Sequence, residues 1–296
     1  MNEPHALTLF RRYPALAERI PWRLLGRWPT PLETVSAETD CAWLGIKRDD
    51  LSGGAYGGNK VRKLEFLLAE AIARGCDGVI TFGTAGSNHA LATAIYAREL
   101  GLECHLMLTR QALTSAARRN LLNGFHHGAQ LHGFDTEEAA AAASTALLSS
   151  DAGTELMAIP GGGSAPLGCL GFVNAALELQ EQLAAADLAP PDLIYLPLGT
   201  TGTLAGLQLG LRLAGLNTRV MAVRVVRDDV AEPARWQRLY RQAQALLAPD
   251  VPGVDELPDA DHGLRTRHDF YGPGYARYTP EAIAACDRAR ELAGIG

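Results

Sequence analysis

The stretch Gly53-Gly-Ala-Tyr-Gly-Gly-Asn-Lys-Val-Arg-Lys63 constrains the fold more than any other. Four glycines stand just ahead of Lys60, and a helical apolar repeat begins directly after it: Val61, Leu64, Leu67, Leu68, Ala71 and Ile72, with Gly75 as a C-terminal cap. Asn59 is a good N-cap residue, which puts Lys60 in the first helical turn. A lysine is out of place there, because a helix N-terminus already carries partial positive charge. The chain has only three lysines, Lys47, Lys60 and Lys63, and otherwise uses arginine for its basic side chains. A lysine kept beside a glycine-rich turn fits a task that guanidinium cannot perform, such as forming a Schiff base through a neutral amine. The spacing alone also accommodates a surface lysine at a helix start.

The 296 residues are enough for about two domains, and 47% apolar composition is ordinary for a globular protein. A net charge of −6 argues against nucleic acid as a partner. The first 23 residues contain Arg11, Arg12, Glu18 and Arg19, and nothing there or later reads as a signal peptide or a membrane span. Five scattered cysteines, without a Cys-x-x-Cys pair, fit reduced thiols in a cytoplasmic protein.

After an irregular start, strand-like and helix-like segments alternate. Strands are expected at 42–46, 78–82, 103–108, 129–132, 155–159, 193–196 and 219–225. Helices are expected at 60–74, 87–100, 113–123, 137–148, 167–185, 202–213, 234–247 and 280–292, with 257–278 a long loop. Strands separated by helices of this length predict a parallel α/β architecture.

Four strand-to-helix junctions are rich in glycine or hydroxyls: 53–60, 83–89, 161–164 and 199–203. In parallel sheets such junctions collect at the carboxyl ends of the strands, where ligands bind. Leu198-Gly-Thr-Thr-Gly-Thr203 is the best phosphate cradle, since its glycines admit an anion to backbone N–H groups and a helix start follows. A plain tight turn explains the same residues. The chain has neither a Walker A loop nor an early Gly-x-Gly-x-x-Gly, so the common nucleotide folds are disfavoured. His126, His127 and His132 lack a carboxylate or cysteine at metal-site spacing and read as a solvated loop. Lys47 and Lys63 read as structural, as do Asp49 and Asp50 paired with Arg48 or Arg62. Ser164 lacks the nucleophile elbow of a serine hydrolase.

A phosphate cradle with a Schiff-base lysine points to pyridoxal phosphate, and here longer motifs carry a resemblance. Gly57-Gly-Asn-Lys-Val-Arg-Lys-Leu-Glu65, Gly86-Ser-Asn-His89, Gly162-Gly-Ser-Ala-Pro-Leu-Gly-Cys-Leu-Gly171 and Gly272-Pro-Gly-Tyr275 resemble the D-cysteine desulfhydrase / 1-aminocyclopropane-1-carboxylate (ACC) deaminase family. They occur in the family's order along nearly the whole chain. The resemblance implies a two-domain, three-layer α/β fold with parallel sheets, of the tryptophan-synthase-β type (pyridoxal-phosphate fold type II). The smaller domain would span 64–171, and the larger would combine 1–63 with 172–296. It implies that Lys60 carries the cofactor and moves the substrate's α-proton. Asn88 would hydrogen-bond the cofactor's 3′-oxygen, and Gly199, Thr200, Thr201, Gly202 and Thr203 would hold its phosphate. Ser87, Asn88 and His89 would take the substrate carboxylate, Ser87 would assist proton transfer, and Tyr275 would stand beside the substrate.

The implied protein is a cytoplasmic homodimer acting on a small amino acid. The expected reaction is β-elimination of D-cysteine to pyruvate, ammonia and sulfide. The ACC deaminase branch, which usually has glutamine where this chain has His89, is the alternative. Two departures from the family pattern stand out. Leu91 replaces an arginine, and the C-terminal segment that relatives carry beyond the 280–292 helix is expected to be missing. A protein that binds the cofactor without turnover is the rival reading.

Overall fold

A helix between successive strands returns the chain in its original direction, so the alternation after residue 78 builds parallel sheets. The computed structural model describes residues 6–35, 41–150 and 153–294. In order, the elements are α1 (Thr8–Arg12), α2 (Leu16–Arg19), β1 (Leu32–Val35), β2 (Leu44–Lys47), α3 (Lys60–Ala73), β3 (Gly78–Thr84) and α4 (Asn88–Glu99). Then come β4 (Glu103–Thr109), α5 (Ser115–His126), β5 (Gln130–Phe134), α6 (Glu137–Leu148), β6 (Leu156–Ile159) and α7 (Pro166–Ala185). The chain continues with β7 (Leu193–Leu198), α8 (Gly202–Leu213), β8 (Arg219–Arg224), α9 (Pro233–Leu247), β9 (Leu264–Arg267) and α10 (Pro280–Ala293).

One parallel sheet has the order β5-β4-β3-β6 and another the order β7-β8-β9, while β1 and β2 form an antiparallel pair. In the first sheet, alternation along the strands divides the side chains between two faces. Val79, Cys104, Leu106 and Leu108 pack on the side of α3 and α4. Ile80 and Met107 pack on the other side, against Ala140 of α6. Around the second sheet, Leu196, Leu198, Val220 and Ala222 join Phe172, Val173, Leu209 and Leu211 in the largest core.

Two expectations are corrected. Residues 257–278 are not wholly loop, because Leu264–Arg267 pairs in parallel with β8. Its Leu-Arg-Thr-Arg sequence offers no apolar alternation, and the backbone ladder alone makes it a strand. The start of the chain is also more ordered than its pattern shows. α1 and α2 are too short for a helical repeat to register, but Leu7, Leu9, Phe10 and Leu16 are buried in the core beside α7.

Two buried ionic groups fix the start of α3. The Glu65 carboxylate accepts from Trp22 Nε1, Trp28 Nε1 and the Leu25 and Gly26 amides, tying residues 22–28 to the helix. Arg62, 1% exposed, donates to Asp49 Oδ1 at 2.7 Å and to Glu178 Oε2 at 2.9 Å, and stacks on Trp28. Lys47 pairs with the same Glu178, and Asp50 pairs with Arg48. Removing one member of a buried network strands the others without compensation. Arg62→Leu is therefore expected to cost about 3–5 kcal/mol, measured by urea unfolding; a loss below about 1 kcal/mol would show that the network is dispensable.

Candidate functional site

The start of α3, the β3–α4 junction, the turn 161–164 and the β7–α8 turn open onto one cleft of about 2150 Å³. Lys60 lines it, and Lys60 Nζ donates to Asn59 Oδ1 at 2.9 Å. Asn59 thus precedes the helix as expected, but its side chain holds the amine and does not cap the backbone. Burial without a carboxylate partner pushes the Lys60 amine down to about 8. Lys63, one turn on, is 1% exposed, and its amine donates to the Gly162 carbonyl at 3.0 Å. Burial, aided by the nearby Lys60 charge, pushes it down to about 7. The sequence marks Lys63 as structural, and the structure puts it in the wall of the cleft, one helical turn from Lys60.

At the β3–α4 junction Ser87 is the N-cap, its Oγ accepting from the Ala90 amide at 3.2 Å. The hydroxyl hydrogen remains available. Among the described residues no carbonyl accepts from the Asn88 or His89 amides, so two N–H groups at a twelve-residue helix start are left to a ligand.

The His89 side chain is held by β3. Its ring is 3% exposed, with Nε2 2.9 Å from Thr81 Oγ1. Thr81 spends its only hydroxyl hydrogen on the Ile159 carbonyl at 2.9 Å, so His89 Nε2 must be the donor and Nδ1 carries the lone pair. Burial, with the charges of Lys60 and Lys63, holds this imidazole well below its ordinary pKa, in the neutral state. Of His89, the backbone N–H is the part at the free helix start; the ring is anchored on β3.

The β7–α8 turn is held from the opposite side. Ser164 Oγ donates to Thr200 Oγ1 at 2.8 Å and accepts from the Gly202 amide at 3.2 Å. Gly162 stands at φ +69°, and a Cβ there would lie 2.0 Å from Thr200 Oγ1, so glycine is required on both counts. Thr201 is left-handed at φ 71°, and among the described residues its buried Oγ1 has no partner. Thr203 lines the cleft with Gly199, Thr200 and Thr201, while Gly202 lies beneath them. Tyr275 reaches the cleft from the segment after β9 and is 47% exposed.

Three contributors escaped the sequence reading. Ser164 lies in the 161–164 junction that the sequence marks, but its partners Thr200 and Gly202 stand 36 and 38 residues away. Tyr56 sits with Ala55 between two glycine pairs, and its O–H is 2.9 Å from Asn88 Oδ1. Asn120, on α5, lies 2.9 Å from the same oxygen, and no local signal identifies it. Leu91, 2% exposed, belongs to the core, so the missing arginine leaves no gap in the cleft wall.

A family model described as "Pyridoxal-phosphate dependent enzyme" matches residues 23–296. The chain belongs to that family. This pyridoxal-phosphate enzyme is 32% identical over 277 residues to D-cysteine desulfhydrase of Serratia proteamaculans, covering 90% of this chain and 80% of that one. It is 34% identical over 287 residues to the bifunctional D-cysteine desulfhydrase/1-aminocyclopropane-1-carboxylate deaminase, mitochondrial, of Arabidopsis thaliana, covering 92% and 68% of the two chains. Its fold matches the crystal structure of an ACC deaminase homologue with a TM-score of 0.79, 31% identity and coverage of 95% and 83%. A threonine deaminase structure at 19% identity and TM-score 0.56 shares the fold.

The residues present fit the cofactor. The unpartnered Thr201 hydroxyl, the open space above Gly199, where an added Cβ meets nothing nearer than 4.0 Å, and the start of α8 suit a phosphate. The depressed Lys60 amine suits Schiff-base formation with an aldehyde.

Proposed function

We propose that this enzyme catalyses β-elimination from a small amino acid, converting D-cysteine with water to pyruvate, ammonia and hydrogen sulfide. The observation that carries this reading is the placement of Lys60. Its depressed amine lines a cleft bounded by the free helix start at Asn88 on one side and the Gly/Thr turn on another. Bound pyridoxal phosphate supplies the electron sink for the substrate's α-carbanion. Lys60 removes the α-proton, a task suited to an amine with a pKa near the working pH. The bond from the β-carbon to sulfur breaks, and the proton leaves with the thiolate as hydrogen sulfide. The Asn88 and His89 amides hold the substrate carboxylate, with Ser87 donating its spare hydrogen. Gly199, Thr200, Thr201, Gly202 and Thr203 hold the phosphate, Asn88 the 3′-oxygen, and Tyr275 borders the substrate.

The separate cores of the two parallel sheets support the division into a smaller domain, 64–171, and a larger one, 1–63 with 172–296. The reading takes the protein as a cytoplasmic homodimer, as the resemblance implies. Among the described residues no helix is long and apolar enough to cross a membrane.

ACC deamination is the second reading, favoured by the likeness to an ACC deaminase homologue. The two are separated by assaying purified enzyme with D-cysteine, L-cysteine and ACC. Sulfide with pyruvate supports the first, 2-oxobutanoate from ACC the second, and neither product overturns both. Ser87→Ala is expected to lower turnover about 10- to 100-fold, the worth of one hydrogen bond to a charged group. The visible band of the bound cofactor should stay in place, and the lost cap should cost about 1 kcal/mol of stability. Loss of the cofactor band would move Ser87 from substrate to cofactor.

A further inference from the structure

The two ends of an asparagine amide have the same shape and opposite hydrogen-bonding roles, so a ligand is bound or repelled according to which end faces it. The neighbours of Asn88 settle that choice. The Gly86 carbonyl can only accept, so the Asn120 atom 2.9 Å from it is Nδ2, a donor. That nitrogen carries a second hydrogen, directed to Asn88 at 2.9 Å. The Asn88 atom receiving it must be Oδ1. Tyr56 O–H, also 2.9 Å from Oδ1, then has no role there except as a donor. Burial raises the Tyr56 pKa and keeps the phenol protonated. Asn88 lines the cleft with its oxygen satisfied twice, and no protein group among the described residues accepts from its Nδ2.

We infer that Tyr56 and Asn120 are positioning residues that fix the Asn88 amide with Nδ2 as a donor toward the 3′-oxygen of pyridoxal phosphate. The inference rests on the reading of Asn88 as a cofactor ligand. It gives Tyr56 a reason to stand among glycines: the turn that delivers Lys60 also delivers the phenol that orients the cofactor's other contact. Asn120 comes from α5, which packs against α4, so two independent elements converge on one amide. Without them the amide is free to rotate and to present an oxygen to an oxygen, which repels.

Apoprotein variants titrated with pyridoxal 5′-phosphate, followed by pH titration of the bound cofactor's visible band, test this without any turnover. Asn88→Ala should weaken binding about tenfold, the worth of one hydrogen bond, and move the band's titration to higher pH, because a donor stabilises the anionic 3′-oxygen. Tyr56→Phe, which deletes one oxygen atom, should shift the titration in the same direction with about threefold weaker binding. Asn120→Ala, which removes the other donor to Oδ1 without adding charge, should shift it likewise. In an Asn88→Ala background neither change should add anything. If Tyr56→Phe leaves the titration at its wild-type position while Asn88→Ala moves it, the positioning role is overturned and the cofactor contact survives. Shifts that persist in the Asn88→Ala background also overturn the role. An Asn88→Ala variant indistinguishable from wild type removes the reading of Asn88 on which the inference rests.

Discussion

Replacing Lys60 by arginine is expected to abolish covalent attachment of pyridoxal phosphate and to lower turnover by roughly a thousandfold or more. Charge and helix position are kept, and only the amine that can lose its proton is removed. Borohydride reduction of the wild-type enzyme, followed by peptide mapping, should place the pyridoxyl group on Lys60. The rival is Lys63, whose amine is depressed further, to about 7, against about 8 for Lys60. Acidity alone would choose Lys63. Access reverses the choice, because Lys63 is 1% exposed and committed to the Gly162 carbonyl, whereas among the described residues the Lys60 amine holds only the Asn59 side chain. An adduct recovered on Lys63 would overturn the assignment.

The same comparison gives a pH dependence with a definite sign. Attachment requires the neutral amine, and the neutral fraction of a lysine grows as pH rises through its pKa. With that pKa lowered from the ordinary 10.5 to about 8, the rate of attachment to apoprotein should climb steeply between about pH 7 and 9 and then level. A rate still climbing beyond pH 10 would mean that burial does not tune this amine.

How far the sequence reading reached depended on whether the signal was local. Most strands and helices after residue 60 announce themselves, since they are long enough for an apolar repeat to show. β9, with Leu264, Arg265, Thr266 and Arg267, has no such repeat and becomes a strand only through pairing with β8. The glycine-rich turns were visible because glycine marks where another backbone must approach, as Gly162 does against Thr200. Side-chain direction was not visible. His89 stands at the helix start that the motif identifies, but its ring direction is set by Thr81, eight residues back on β3. Asn120 lies 32 residues from the amide it contacts, and Lys63 acquires its place from Gly162, 99 residues away. Such contacts follow from how helices settle on a sheet, which no spacing within one segment encodes.

Gly202→Asp should weaken pyridoxal phosphate binding by at least about a hundredfold, through two separable causes. Gly202 is the first residue of α8, and a Cβ there would lie 2.8 Å from Ser164 Oγ and 2.9 Å from Ser164 Cα. Any side chain must therefore displace Ser164, whose hydroxyl holds both Thr200 Oγ1 and the Gly202 amide. Gly202→Ala isolates this steric effect, expected at about tenfold, since overpacking costs about 1–3 kcal/mol. Aspartate adds a negative charge at a helix start that otherwise favours anions, and like charges about 4 Å apart repel by about 4 kcal/mol near a protein surface. Pyridoxal without its phosphate separates the two causes. It should lose about equal affinity to the alanine and aspartate variants, while pyridoxal phosphate should lose far more to aspartate. If both probes respond alike to aspartate, the phosphate does not sit against this turn, and the roles given to Gly199, Thr200, Thr201, Gly202 and Thr203 fall together.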